Sequence, residues 1–227
     1  MPKQTFFNLP DDKRAHIEAI AIDEFAANPY TCASISAIVA RAGIAKGSFY
    51  QYFAGKKDLY QHLLKLANQQ KGALVSQVKP AEKALDTFDY LRWMLQLAFL
   101  FEVRHPKLAK ITCRSFVEDL PFLSDQEGEP HGGGAFYFND FLSQGILHED
   151  VAPWVDTDMV SFLLGIIYHF FGRYLLKRME LSPEDFAEGR LDVFNDQLVQ
   201  DLFDNLMDIL EAGIARDPDI RRQFFSK

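Results

Sequence analysis

The sequence predicts an all-α protein, and three observations support this fold class. Apolar residues recur at steps of three and four through most of the 227-residue chain, which is the spacing of one helix face. No stretch alternates apolar and polar residues for long enough to indicate a strand. Proline, glycine and asparagine divide the chain into about nine segments of helical length, so we expect an N-terminal three-helix domain followed by a C-terminal helical bundle.

The first predicted helix covers residues 11–27 and places Ile17, Ala21 and Phe25 on one face. Pro29 cannot continue this helix, because its ring fixes φ and it lacks a backbone donor. Similar breaks separate the later helices. Their predicted ranges are residues 35–42, 46–53, 56–78, 82–104, 106–120, 135–144, 157–179 and 191–215.

The segment from Phe162 to Leu176 is apolar nearly all round, so it must be covered on several sides. One antiparallel neighbour does not cover that much surface, which favours a bundle that also buries a subunit interface. Its densest part, Phe162 to Phe171, is well short of the roughly 20 apolar residues that a membrane span needs. We therefore expect an association between subunits and no membrane-spanning segment.

Composition and cysteine content indicate a globular cytoplasmic protein. The chain is 48% hydrophobic and 25% charged, as globular domains are and disordered chains are not. Its two cysteines, Cys32 and Cys113, are too few and too far apart for a disulfide scaffold or a zinc finger. The first twelve residues contain no apolar run long enough for a signal peptide. The net charge of −8 argues against non-specific binding to polyanions.

Charge is nevertheless unevenly distributed along the chain. From Phe25 to Lys57 there is no Asp or Glu, while Arg41, Lys46 and Lys56 fall inside that window. A surface that approaches phosphates cannot tolerate carboxylates, so this pattern suits a nucleic-acid interface. The alternative interpretation is a buried, weakly charged helical segment.

Residues 34–53 predict a helix-turn-helix. Ser34 is expected to cap the first short helix, and Gly43 supplies the positive φ that a tight turn needs. Phe49 and Phe53, four residues apart, are expected to anchor the second helix to the core. The residues left for its outer face and first turn are Lys46, Gly47, Ser48, Tyr50, Gln51 and Tyr52. This set suits DNA, because lysine binds phosphate or guanine, Ser and Tyr donate to phosphate oxygens, and Gln pairs with adenine.

This segment resembles the DNA-binding motif of the tetracycline-repressor (TetR/AcrR) family of transcriptional regulators. The residues that carry the resemblance are Ala21, Phe25, Ser34, Ile35, Ile38, the run from Ala42 to Phe53, Lys56, Asp58 and Leu59. The resemblance implies an all-α homodimer with a DNA-binding domain of residues 1–56. It also implies a ligand-binding and dimerisation domain of residues 57–227.

The resemblance further implies which side chains contact double-stranded DNA. Contacts to the DNA backbone are expected from Ser34, Ser36, Ser48, Tyr50, Tyr52 and Lys56. The residues expected nearest the bases are Lys46, Gly47 and Gln51. Two identical subunits imply a near-palindromic operator. The chain departs from the family at Ala45, where a capping Ser is common, and a basic N-terminal arm is not supported.

The C-terminal part is rich in aromatic residues, since sixteen of the 21 Phe follow residue 60. Such a bundle can line a large apolar pocket, or the rings can form the core and the dimer interface. Polar residues within apolar helices are better pointers, because their burial without a partner is costly. The candidate ligand-binding residues are Trp93, Glu102, Thr112, Phe116, Asn139, His169 and Arg173. His169 and Arg173 favour an anionic group whereas Glu102 favours a cation, so the class of the small-molecule effector is left open.

Enzyme motifs are largely missing from the sequence. The run from His131 to Gly134 resembles an esterase oxyanion loop, but no G-x-S-x-G follows it. There is no P-loop, dinucleotide fingerprint or metal-ligand spacing, so we expect no catalysis, cofactor or metal. The sequence thus indicates a regulator, most simply a repressor released from its operator by a small, largely apolar ligand. The alternative is a helical ligand-binding or protein-interaction module that has lost operator binding.

Overall fold

The computed structural model describes residues 1–75, 86–118, 120, 122, 134–181 and 196–214. These ranges contain ten helices, which confirms the all-α prediction. The helices are α1 (Gln4–Phe7), α2 (Asp11–Ala27), α3 (Ile35–Arg41), α4 (Lys46–Tyr52), α5 (Lys56–Leu74), α6 (Thr87–Arg104), α7 (Pro106–Val117), α8 (Gly134–Leu147), α9 (Thr157–Arg178) and α10 (Gln197–Ile214).

The observed helices follow the predicted segments closely, with three main differences. Helix α7 ends at Val117, before the predicted end at residue 120. The short helix α1 was not predicted, because its four residues are too few to show a periodic pattern. Helix α8 continues to Leu147, past the predicted end at residue 144. The predicted helical residues 76–78, 82–85, 119 and 191–195, and residue 215, lie outside the described residues.

The chain divides into two compact units, which are Met1–Ala73 with His105–Gly132, and Leu74–Arg104 with Gly133–Lys227. We name them unit 1 and unit 2. Unit 1 contains α1 to α5 and also α7, although α7 follows α6 in the sequence. Unit 2 contains α6 and α8 to α10. The functional division after residue 56 stays a prediction.

Polar contacts hold α7 against α2 within unit 1. The guanidinium of Arg114 donates to the Phe25 carbonyl at 2.9 Å and to the Ala26 carbonyl at 3.1 Å. Those carbonyls belong to the last turn of α2, which has no partners for them within the helix. The Lys107 ammonium lies 2.6 Å from the Asp23 carboxylate. This hydrogen bond lowers the pKa of Asp23, which also pairs with α3.

The core of unit 2 is formed where α6, α8, α9 and α10 pack together. Phe99 of α6, Phe138 of α8, Leu164 of α9 and Phe203 of α10 are almost fully buried. The Phe171 ring of α9 meets the Phe203 ring edge-to-face, with centroids 5.2 Å apart.

Gly145 of α8 lies where the start of α6 and the loop after α8 come close. A Cβ added there would lie 2.7 Å from the Val151 Cγ2 and 3.0 Å from the Thr87 Oγ1. Both neighbours are fixed, because Val151 is fully buried and Thr87 donates twice to the Asp150 carboxylate. Glycine is therefore required by packing, although it weakens a helix interior.

We expect Gly145→Ala to lower the free energy of unfolding of unit 2 by about 1–3 kcal/mol, since overpacking displaces stiff neighbours. Thermal and urea melts followed by circular dichroism measure this loss. The control is Gly72→Ala on α5, where an added Cβ meets nothing within 4 Å. That substitution should be neutral or stabilising, because alanine is the better helix former. Equal stability of the two variants would contradict the packing argument.

Helix α9 has the length and apolar composition of a membrane span. It contains 22 residues, with a mean hydropathy of 1.5 in its most apolar window, of which 28% is buried. A core or interface helix of a soluble protein can have the same length and composition. These two properties alone are therefore weak evidence that α9 spans a membrane. Its exposed apolar residues include Met159, Phe162, Leu163, Phe170 and Tyr174.

Candidate nucleic-acid interface and ligand-binding residues

The turn between α3 and α4 forms as the sequence predicts. The Ser34 hydroxyl accepts the Ala37 N–H at 3.3 Å, so the predicted N-cap of α3 is confirmed. Gly43 has a φ of 63°, which confirms the predicted left-handed turn residue. The Ile44 N–H donates to the Val39 carbonyl at 3.1 Å and closes the turn.

Helix α4 has a buried anchor face and an exposed polar face. Phe49 and Phe53 are fully buried, as predicted. Lys46, Gly47 and Gln51 are exposed on the other side. The remaining predicted contacts of the helix-turn-helix are Tyr50, 44% exposed, Ser36, which is exposed, and Ser48, which is half-buried. The exposed face therefore presents one cation, hydroxyl groups and an amide.

Tyr52 does not lie on this exposed face, so its predicted outward position is wrong. Only 8% of the residue is exposed, and its ring centroid lies 6.1 Å from that of Phe6. Residue 52 follows Phe49 by three positions, which places both on one side of the helix. Helix α1, which the sequence pattern did not reveal, supplies the ring that covers Tyr52.

Two other predicted contacts already have partners within unit 1. The Lys56 ammonium donates to the carbonyls of Thr31 and Ala33, both at 3.1 Å. It also lies 4.8 Å from the centre of the Tyr30 ring. Lys56 therefore holds the segment between α2 and α3, and the Ser34 hydroxyl caps α3. Their contacts to DNA stay predictions.

The N-terminus of α4 has no side-chain cap, which confirms the consequence expected from Ala45. The only arginine of α3, Arg41, is 2.8 Å from the Asp23 carboxylate, so its charge is paired. Lys46 is thus the exposed cation on α4 itself. Two residues that sequence reasoning missed, Lys3 and Thr5, donate hydrogen bonds to carbonyls of α4.

The structure brings together two of the candidate ligand-binding residues in unit 2. The Arg173 Nε donates to the Glu102 carboxylate at 3.3 Å. Glu102 is 9% exposed, so its charge is largely removed from water and is offset by the guanidinium. Gly172 lets α9 approach α6 here, since a Cβ added to it would lie 3.4 Å from the Glu102 Cβ.

The other candidate ligand-binding residues of unit 2 contact residues other than Glu102 and Arg173. Asn139 donates to Asp158 at 2.9 Å and accepts from the fully buried Ser161 at 2.5 Å. The sequence did not point to Ser161 as a partner of Asn139, because a serine in an apolar helix is common. The Trp93 ring packs 5.3 Å from the Tyr90 ring. The His169 ring also has an aromatic neighbour, with its centroid 5.3 Å from that of Tyr168.

Thr112 and Phe116 belong to α7 and therefore to unit 1, apart from the other five candidates. The Thr112 hydroxyl donates to the Ala109 carbonyl at 2.9 Å, one turn earlier in the same helix. Thr112 was predicted to bind a ligand because a buried polar group needs a partner. The Ala109 carbonyl already provides that partner. Within the described ranges, no cluster of three His, Cys, Asp or Glu residues could hold a metal ion. Of the run from His131 to Gly134, residues 131–133 lie outside those ranges and Gly134 begins α8.

Comparison with known proteins adds independent evidence on the family of this chain. The family model for bacterial regulatory proteins of the tetR family matches residues 17–63. A TetR family transcriptional regulator from Chloroflexus aurantiacus J-10-FL, known from its crystal structure, is 38% identical to this chain. Its TM-score is 0.78, and the match covers 95% of this chain and 99% of that one.

Two further proteins are more distantly similar. The transcriptional regulator FadR from Bacillus subtilis, in complex with stearoyl-CoA, is 19% identical with a TM-score of 0.60. That match covers 88% of this chain and 98% of FadR, and it indicates a shared fold. The nucleoid occlusion factor SlmA of Photobacterium profundum is 27% identical over 150 residues, which are 65% of this chain and 76% of SlmA.

Proposed function

The chain belongs to the TetR family of transcriptional regulators and is a DNA-binding regulator, and on that premise we propose that it is a ligand-released repressor. Two copies would bind a near-palindromic operator, each with α4 in the major groove. A small, largely apolar ligand would favour a form of the dimer that binds the operator less tightly. Such a ligand shifts the equilibrium only by its differential affinity for the two forms.

One observation carries the proposal, namely the exposed face of α4 on a fully buried aromatic anchor. Lys46, Tyr50 and Gln51 project from it, and no Asp or Glu occurs between Phe25 and Lys57. Lysine at phosphate or guanine and glutamine at adenine are established pairings. A buried segment with few charges, the alternative interpretation, would not leave these three side chains exposed.

We propose a homodimer because α9 of unit 2 leaves a row of apolar residues exposed. Met159, Phe162, Leu163, Phe170 and Tyr174 recur along one side of α9 and are between 38% and 56% exposed. Ile209 of α10 is 69% exposed. Soluble proteins rarely leave such a row in water, and a second copy of the same face covers it symmetrically. This explanation also removes the need for a membrane partner and agrees with a cytoplasmic location.

The ligand is proposed to bind in the C-terminal domain, residues 57–227. Unit 2 holds partly buried aromatic rings, including Trp93 and Phe141, which are the usual lining of an apolar pocket. The Glu102–Arg173 pair adds polar groups without net charge, which suits a largely apolar ligand. Mass spectrometry of compounds released from denatured protein tests this. A compound that restores operator release on re-addition supports the proposal, and operator binding that no released compound changes contradicts it.

The experiment that tests the whole proposal is selection of bound sequences from random duplex DNA at two salt concentrations. An enriched palindrome supports operator binding, and a steep salt dependence reflects phosphate contacts. Weak retention without enrichment would favour the alternative, a helical ligand-binding or protein-interaction module that has lost operator binding. Repeating the selection after unfolding and refolding removes a co-purified ligand, so that its effect is separated from a loss of function. We propose no catalytic role.

Gln51→Ala should relax the base preference at one position of each half-site, because the amide no longer pairs with a base. The expected loss of discrimination there is about 1–3 kcal/mol, with the other positions unchanged. Selection with the variant, compared with wild type, measures it. The matched control is Gln69→Ala on α5, which also removes an exposed glutamine from a helix. An unchanged preference in the Gln51 variant would place this side chain away from the bases.

A further inference from the structure

The two ends of α4, which we name the recognition helix, are stabilised very differently. It has seven residues, and a helix that short is marginal without support. At its start Ala45 provides no side-chain cap. At its end the last four carbonyls need partners from outside the usual helical pattern. The Phe53 N–H satisfies the first of them, on Phe49, at 2.9 Å.

The remaining three carbonyls are bound by the N-terminal segment, residues 3–7. The Lys3 N–H donates to the Tyr52 carbonyl at 2.8 Å. The Lys3 ammonium donates to the Tyr50 carbonyl, also at 2.8 Å, and the Thr5 hydroxyl donates to the Gln51 carbonyl. Every orphan carbonyl of the recognition helix is therefore satisfied. The cation also lies at the negative end of the helix dipole, where it is favourable.

The N-terminal segment is itself held in place, so its donors are not those of a free arm. Phe6 is fully buried, and its ring centroid lies 4.7 Å from that of Phe53 and 5.4 Å from that of His62. The Phe7 carbonyl accepts a hydrogen bond from Arg14 of α2 at 3.3 Å. The segment therefore contacts the end of α4 and the helices α5 and α2.

We infer that residues 3–7 form a clamp on the C-terminal end of the recognition helix, in which Lys3 and Thr5 are positioning residues for operator binding. This rests on the proposal that α4 reads the operator. The clamped carbonyls belong to Tyr50 and Gln51, whose side chains project outward toward DNA. Fixing their backbone reduces the ordering cost of binding, which is the general benefit of preorganisation.

The test uses the full chain with Lys3→Met or Thr5→Val, and two measurements. Amide hydrogen exchange of residues 50–53 should become about 3- to 10-fold faster in each variant, the loss of one net hydrogen bond. Each operator-bound subunit should contribute a similar factor, about 3- to 10-fold, to the rise in the operator Kd. The salt dependence of binding should stay that of wild type, because neither side chain is on a phosphate. Lys3→Arg and Thr5→Ser should restore both values.

Two controls separate a local effect at the recognition helix from a general loss of charge or of stability. Lys110→Met removes an exposed cation from α7 and should change neither measurement. Exchange in α2 should be unchanged in every variant, which separates a local effect from general unfolding. Unchanged exchange at residues 50–53 would overturn the clamp, and so would a salt slope reduced by about two per dimer in Lys3→Met, since that marks a phosphate contact. If wild type enriches no DNA sequence, the proposed function fails while hydrogen exchange still decides the clamp.

Discussion

Phe162→Glu should convert the dimer into monomers. This ring of α9 is 52% exposed in one copy and belongs to the apolar face that we assign to the interface. A symmetric interface carries each substitution twice, so two carboxylates would be buried without partners. At about 2 kcal/mol or more for each, the dissociation constant of the dimer should rise about 1000-fold. Sedimentation velocity and light scattering measure this directly.

The same variant should bind a full palindrome about 100-fold more weakly or worse, because the second half-site no longer benefits from a linked subunit. Affinity for an isolated half-site should be unchanged. Leu147→Glu is the control, since Leu147 is 71% exposed and ends α8, so it belongs to neither α9 nor α10. A Phe162 variant that stays dimeric with normal operator affinity would show that this face is not the interface.

Lys46→Glu should weaken operator binding about 100-fold at low salt, since each dimer loses two attractive contacts and gains two repulsive charges. Lys46 is the exposed cation on α4, whereas the Lys56 ammonium at the start of α5 is bound to the carbonyls of Thr31 and Ala33. If the partner is phosphate, the slope of log K against log salt should fall by about two per dimer. Fluorescence anisotropy titrations at four salt concentrations give both quantities.

Lys110→Glu provides the matched charge reversal for this experiment, on the exposed side of α7. It changes the net charge of the protein equally, so any long-range repulsion of DNA appears in both variants. Circular dichroism melts show whether either variant is destabilised. Equal affinities of the Lys46 and Lys110 variants would mean that α4 does not approach the DNA with this face.

Local chemistry explains why the helix-turn-helix could be predicted closely. A Ser before a helix, a Gly at a tight turn and two Phe four residues apart each have one dominant structural role. The structure confirms Ser34 as a cap, Gly43 at positive φ, and Phe49 and Phe53 as buried anchors.

Predictions were less reliable where a distant segment decides the environment. Tyr52 is buried because α1 covers it, and α1 is too short to leave a periodic pattern. The Glu102–Arg173 pair joins residues 71 positions apart, which no spacing rule reveals. Glu102 and Arg173 were predicted to face a ligand because of their polarity. Tyr52 was predicted to face outward because Phe49 and Phe53 were the expected anchors, and because of the family resemblance. Polarity indicates that a partner is needed, but not whether the protein itself provides it.

The placement of α7 in unit 1 has a consequence for how the protein is synthesised. The N-terminal 74 residues emerge from the ribosome as five helices, yet Arg114 and Lys107, which bind α2, are encoded later. Tyr60 and Ile111 are both almost fully buried in the finished unit, and the Tyr60 hydroxyl faces the Ile111 carbonyl at 3.5 Å. Domains usually fold in order as they leave the ribosome. Here unit 1 is complete only when the helix after α6 has emerged, so we expect a nascent chain to lack the contacts between α2 and α7 until part of unit 2 has also been made.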